Sequence, residues 1–156
     1  MTKTNAMRML DQAKIPYDTA EYEVDEQDLS GEHVAQTLGQ PVEQVFKTLV
    51  VRGEKNGLMV FCIPVAEELD LKKAASFAKD KKIEMIHVKE LLPLTGYIRG
   101  GCSPIGMKKK YPTFIDETAI LFDQIYISAG IRGCQIIINP ENLIQYVEAK
   151  LADFVK

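Results

Sequence analysis

The sequence predicts an α+β fold: one domain spanning residues 1–156, built on a curled, mixed β-sheet that closes partly into a barrel and is flanked by helices. Three observations carry this prediction. Roughly seven short apolar or β-branched runs are interleaved irregularly with helix-spaced segments, unlike the strict strand–helix alternation of a doubly wound sheet. The 156 residues, 46% hydrophobic and 26% charged, suit a single globular core. No linker, low-complexity stretch or solenoid-period repeat divides the chain.

Ala6, Met7, Leu10 and Ala13 recur at helical spacing and predict a helix over residues 5–13, ended by Pro16. Residues 17–24 read as a strand. Ser30 is placed to cap a short helix that runs to Leu38, with Gly39 just past its end; Pro41 then starts a single turn through Val45. Phe46, Lys47, Thr48, Leu49, Val50 and Val51 form a strand, and Asn56-Gly57 joins it to residues 58–63 as the strongest hairpin signal in the chain. Asp70 caps a helix over 71–78, which puts Leu71, Ala74, Ala75 and Ala78 on one side and lysines on the other. Residues 83–86 form a short strand, and 88–92 a helical turn closed by Pro93. Residues 114–116, 125–128 and 135–138 are three more strands, the last two separated by the turn Ala129-Gly130-Ile131-Arg132-Gly133. Pro140 at the first helical position opens a final helix, in which Leu143, Ile144, Val147, Leu151 and Val155 keep helical spacing.

Composition narrows the chemistry. Cys62, Cys102 and Cys134 are separated by 40 and 32 residues, which fits neither a disulfide framework nor a CxxC motif, so they read as free thiols. His33 and His87 are the only histidines; a multi-histidine metal site is excluded and little material is left for a Ser/His/Asp triad. No metal and no cofactor are expected. No run approaches the roughly 20 apolar residues of a membrane span, and residues 1–10 lack a secretory apolar stretch, so the expected location is cytoplasmic. Net charge is −3, yet Lys72, Lys73, Lys79, Lys81 and Lys82 crowd one stretch and Lys108, Lys109 and Lys110 another. These clusters are either a local basic face or simply solvated helix and turn positions.

The most informative segment runs from Arg99 to Lys110. Gly100 and Gly101 allow the backbone to approach a ligand closely, Ser103 offers a hydroxyl, and Pro104 stiffens the loop; such a loop holds an anion or forms an ordinary tight turn. Lys47, after Phe46 at the start of an apolar strand, is a cation that snorkels to solvent or is held at a pocket rim to meet a phosphate or polarise an ester. Cys102 is a candidate nucleophile or a small turn residue, and no Cys/His spacing supports the former. Gly130 and Arg132 mark a second glycine turn that either converges on the first or is a plain hairpin. Tyr22 lies at a pocket edge or packs.

Taken together, Phe46-Lys47-Thr48-Leu49-Val50, the loop from Gly100 to Gly106, the turn from Ser128 to Gly133 and the start Lys14-Ile15-Pro16 resemble the YbaK/EbsC family, free-standing relatives of the editing domain of bacterial prolyl-tRNA synthetases. The likeness spans nearly the whole chain, with the glycine loop closest to the EbsC branch. It implies an α+β domain around a mixed, barrel-like sheet, and a trans-editing aminoacyl-tRNA deacylase acting on mischarged tRNA, above all Cys-tRNA(Pro), with Ala-tRNA(Pro) as the alternative. It also implies prolyl-tRNA synthetase as a partner. In the family the lysine matching Lys47 is essential, the loop matching Gly100 to Pro104 supplies backbone groups around the ester, and a tyrosine matching Tyr22 lies near the pocket. The implied chemistry is substrate-assisted: the cysteinyl thiol attacks its own carbonyl and releases a thiolactone. Lys47, Gly100 and Gly101 are therefore expected in catalysis, and Tyr22, Phe46, Cys102, Ser103, Pro104, Gly130 and Arg132 in substrate binding. A non-catalytic nucleic-acid-binding or regulatory protein and a cysteine-dependent hydrolase are the competing readings.

Overall fold

Side-chain caps start four of the five α-helices in the computed structural model, which describes residues 2–156. Thr4 accepts from the Met7 N–H ahead of α1 (Asn5–Gln12), and Ser30 from the His33 N–H ahead of α2 (Gly31–Leu38). Asp70 accepts from Lys72 and Lys73 at the start of α3 (Leu71–Ala78), and Asn139 from Asn142 at the start of α5 (Pro140–Val147). Each bond satisfies an N–H that the first helical turn leaves without a partner. At α4 (Val88–Thr95) Glu90 reaches back to accept from the His87 N–H at 3.0 Å. Contrary to the sequence expectation of a turn closed by Pro93, that proline lies inside α4, which runs on to Thr95.

The mixed sheet takes the form of two hydrogen-bonded sheets. One has the order β1-β7-β6, made of Tyr17–Glu21, Cys134–Ile138 and Ile125–Ser128, all antiparallel. The other has the order β4-β2-β3-β5-β8, made of Ile83–Met85, Phe46–Gly53, Gly57–Pro64, Thr113–Asp116 and Lys150–Ala152. In it β2 and β3 form the hairpin signalled by Asn56-Gly57, while β3-β5 and β5-β8 are parallel. A bridge between Val45 and Tyr126 links the sheets, which do not close into a barrel.

Two expected boundaries move. The first strand ends at Glu21 rather than Val24. The last helix stops at Val147, because Glu148 turns into the left-handed region at φ +55°; Leu151 then sits in β8, and Val155 bridges Leu69.

The main core lies between the sheets and under α1 and α5, where Leu10, Phe46, Val50, Ile115, Ile127, Ile136 and Leu143 are almost fully buried. A second core under α3 is built on Phe61, stacked on Phe114 at 4.6 Å and edge-on to Phe154 at 5.1 Å. The fully buried Asp116 carboxylate fastens the C-terminal segment to this core: it accepts from the Phe154 N–H at 3.0 Å and from the Thr118 hydroxyl at 2.7 Å. No helix among the described residues is long and apolar enough to cross a membrane.

Candidate active site

Strand β2 is covered by β4 only from Val51 to Gly53, so its first half, residues 46–50, keeps an edge without a strand neighbour. The Val50 carbonyl accepts from Ile86 on that side, and the period of two along a strand aims the main-chain groups of Thr48 the same way. Beside this edge opens a cavity of about 600 Å³, within the range of small-ligand sites. Phe46, Lys47 and Thr48 form one wall; Arg99, Gly100 and Cys102 form another; Ser128 and Gln135, opposite each other across β6 and β7, line the same space.

The two glycine turns meet, as one of the two sequence readings has it. Gly101 lies against the backbone of the second turn, where an added Cβ would stand 3.1 Å from the Ile131 carbonyl carbon and 3.2 Å from the Arg132 nitrogen. Gly100 has φ +86°, and a Cβ there would meet Arg132 Nε at 3.3 Å. Arg132 Nε in turn donates to the Arg99 carbonyl at 2.8 Å. Tyr97 is the post between the turns: its ring faces Gly130, and its hydroxyl donates to the Ile105 carbonyl beside Gly106. Burial pushes the Tyr97 phenol up to about 12, so it stays a donor at neutral pH.

Of the ten residues singled out from the sequence, Phe46, Lys47, Gly100 and Cys102 line the main cavity. The others stand elsewhere. The Gly101 N–H donates to the Ile98 carbonyl at 2.9 Å, which gives this glycine a shaping role and removes it as an oxyanion donor. Ser103 is fully buried with its hydroxyl accepting from the Ile105 N–H at 3.2 Å, and Pro104 faces a separate cavity of about 260 Å³ beside Met9 and Tyr146. Tyr22 and Arg132 border a narrow crevice behind Gly100, with the Tyr22 N–H donating to the Gly133 carbonyl at 3.0 Å. Gly130 is packed against Tyr97.

Lys47 is half-buried, and among the described residues its ammonium forms no ion pair or hydrogen bond. The N–H groups of Gly100 and Cys102 likewise have no protein acceptor among the described residues. The residues lining the cavity therefore include a cation and two with uncommitted main-chain donors, the equipment for steadying a developing negative oxygen. Burial pushes the Cys102 thiol up to about 12, the opposite of what a nucleophilic cysteine needs. No cluster of metal-ligating side chains occurs among the described residues. Sequence reasoning missed Gln135, whose only signal was a polar residue inside an otherwise apolar strand, and gave Ser128 no role of its own.

The model of the aminoacyl-tRNA editing domain family matches residues 26–146. EbsC of Enterococcus faecalis, provisionally named a Cys-tRNA(Pro)/Cys-tRNA(Cys) deacylase, is 50% identical over 97% of this chain and 92% of its own. A proline–tRNA ligase of Thermosipho melanesiensis is 27% identical over 91% of this chain, which covers 27% of the ligase. A crystal structure provisionally described as a trans-editing enzyme for prolyl tRNA synthetase superposes with a TM-score of 0.83 at 24% identity, covering 100% of this chain and 99% of that one.

Proposed function

The chain belongs to the aminoacyl-tRNA editing domain family, and from that premise we propose that it is a trans-editing deacylase that frees tRNA(Pro) from wrongly attached cysteine. The observation that carries the reading is the pairing of the Lys47 ammonium, unpartnered among the described residues, with Gly100 on one cavity at an open strand edge. A 600 Å³ space suits the aminoacyl-adenosine end of tRNA and leaves the tRNA body outside.

The enzyme supplies position and charge, and the substrate supplies the nucleophile. The cysteinyl sulfur attacks its own carbonyl carbon, an S–C bond forms and the bond to the ribose 3′-oxygen breaks. The thiol proton ends on that oxygen, so the products are a β-thiolactone and tRNA with a free 3′-hydroxyl. Lys47 and the N–H groups of Gly100 and Cys102 stabilise the carbonyl oxygen as negative charge collects on it, in a partly dry site where such contacts are stronger than in water. Proline has no side-chain nucleophile, so Pro-tRNA(Pro) survives. Because net charge is −3, tRNA is delivered by prolyl-tRNA synthetase rather than captured by this domain alone.

The test is single-turnover deacylation of Cys-tRNA(Pro), Ala-tRNA(Pro) and Pro-tRNA(Pro), with analysis of the released product. Rapid loss of cysteine as thiolactone, with the other two esters spared, supports the reading. Preferential loss of alanine replaces the cysteine assignment, and no turnover of any of the three removes the deacylase.

A further inference from the structure

Gln135 in β7 is 5% exposed, lines the main cavity, and its side-chain oxygen has no hydrogen-bond partner among the described residues. Leaving a buried acceptor unsatisfied is costly, so one kept at the wall of a cavity calls for an explanation. The surroundings select the ligand group. An acceptor needs a donor, and the cavity already carries cationic and N–H donors at Lys47, Arg99 and Gly100. Gln135 stands opposite Ser128 across the β6-β7 pair, and Ser128 Oγ accepts from the Gly130 N–H at 3.1 Å while keeping a second lone pair. Ser128 therefore offers an acceptor beside Gln135, whose own oxygen is sealed from the surface as it stands. The terminal torsion of a glutamine is broad, so its amide turns toward the cavity without leaving a preferred rotamer.

We propose that Gln135, aided by Ser128, forms the subsite that receives the α-ammonium group of the aminoacyl ester and thereby fixes the orientation of the carbonyl toward Lys47. This rests on the aminoacyl-ester reading above. The α-ammonium is the strongest donor that such a substrate carries, with three N–H bonds to distribute, and it is present on every aminoacyl-tRNA whatever its side chain.

The experiment is a binding comparison that needs no turnover. Two inert adenosine analogues carry an amide at the 3′ position, one acylated with L-cysteine and one with 3-mercaptopropionate, so they differ only in the α-ammonium. Their affinities are measured by calorimetry for the wild type, Gln135→Met and Gln135→Glu. The wild type is expected to favour the cysteinyl analogue by about tenfold or more, in line with a hydrogen bond to a charged group. Gln135→Met removes that preference, and Gln135→Glu restores it. Equal affinity of the wild type for the two analogues overturns the proposal, as does an undiminished preference in Gln135→Met. A thermal midpoint of Gln135→Met at or above that of the wild type agrees with an amide lacking a protein partner, and a marked fall contradicts it. A wild type that deacylates Cys-tRNA(Pro) yet ignores the amine loses this subsite alone, while one that discriminates the amine without turnover keeps the subsite and loses the deacylase.

Discussion

Cys102 is the residue whose environment separates the competing chemistries. It lies on the cavity inside the glycine loop, as a nucleophile should, but burial holds its thiol near 12 and leaves essentially no thiolate at neutral pH. Cys102→Ala is therefore expected to keep deacylation within about twofold, with an unchanged pH–rate profile; loss of activity would restore the cysteine-dependent reading. The same shift has a consequence for stability. Cys62 and Cys102 both rise from 9.0 to about 12 in the folded chain, so the native state holds protons that the unfolded chain releases. Their stabilising contribution is full below about pH 9 and is lost as pH climbs toward 12. Denaturant midpoints measured from pH 8 to 11 should fall with rising pH, and less steeply in Cys102→Ala.

At the level of elements, the end of α5 and the meeting of the glycine turns show what a linear pattern can carry. Val147, Leu151 and Val155 keep helical spacing, so the periodicity read as one long helix. What stops it is Glu148 at φ +55°, a conformation that the sequence marks with glycine at Gly39 and Gly96 but not here. Glu148→Gly should therefore stabilise the protein by about 1 kcal/mol, since a side chain in the left-handed region is strained. The exposed ion pair with Lys110 that it removes is worth little. The hairpin at Asn56-Gly57 and the starts of α2, α3 and α5 were legible because their turn and cap chemistry is local. The site was only half legible: Lys47 and Gly100 stood out by type, but the roles of Gly101, Ser103 and Pro104 depended on which hydrogen bonds and cavities packing gave them. Tyr97 holds the two turns together, and Tyr97→Phe should cost about 1 kcal/mol of stability by removing its bond to the Ile105 carbonyl. Chemical denaturation checks both substitutions.

For the whole molecule, one open strand edge, the cations Lys47 and Arg99 and one pair of interlocked glycine turns are brought to a single cavity by two sheets that share a core. That architecture leaves the tRNA body to surface contacts, which makes the synthetase the expected source of tRNA selection. Adding prolyl-tRNA synthetase should raise the preference for Cys-tRNA(Pro) over Cys-tRNA(Cys); an unchanged preference would mean that this domain selects the tRNA itself. The account stands most directly on Lys47, which is tested by the single-turnover rate of Cys-tRNA(Pro) deacylation by the wild type and by Lys47→Met. Loss of one oxyanion partner predicts a fall of about 10²–10³-fold with the thermal midpoint unchanged or raised, because no ion pair is broken. A folded Lys47→Met that deacylates at the wild-type rate would contradict it.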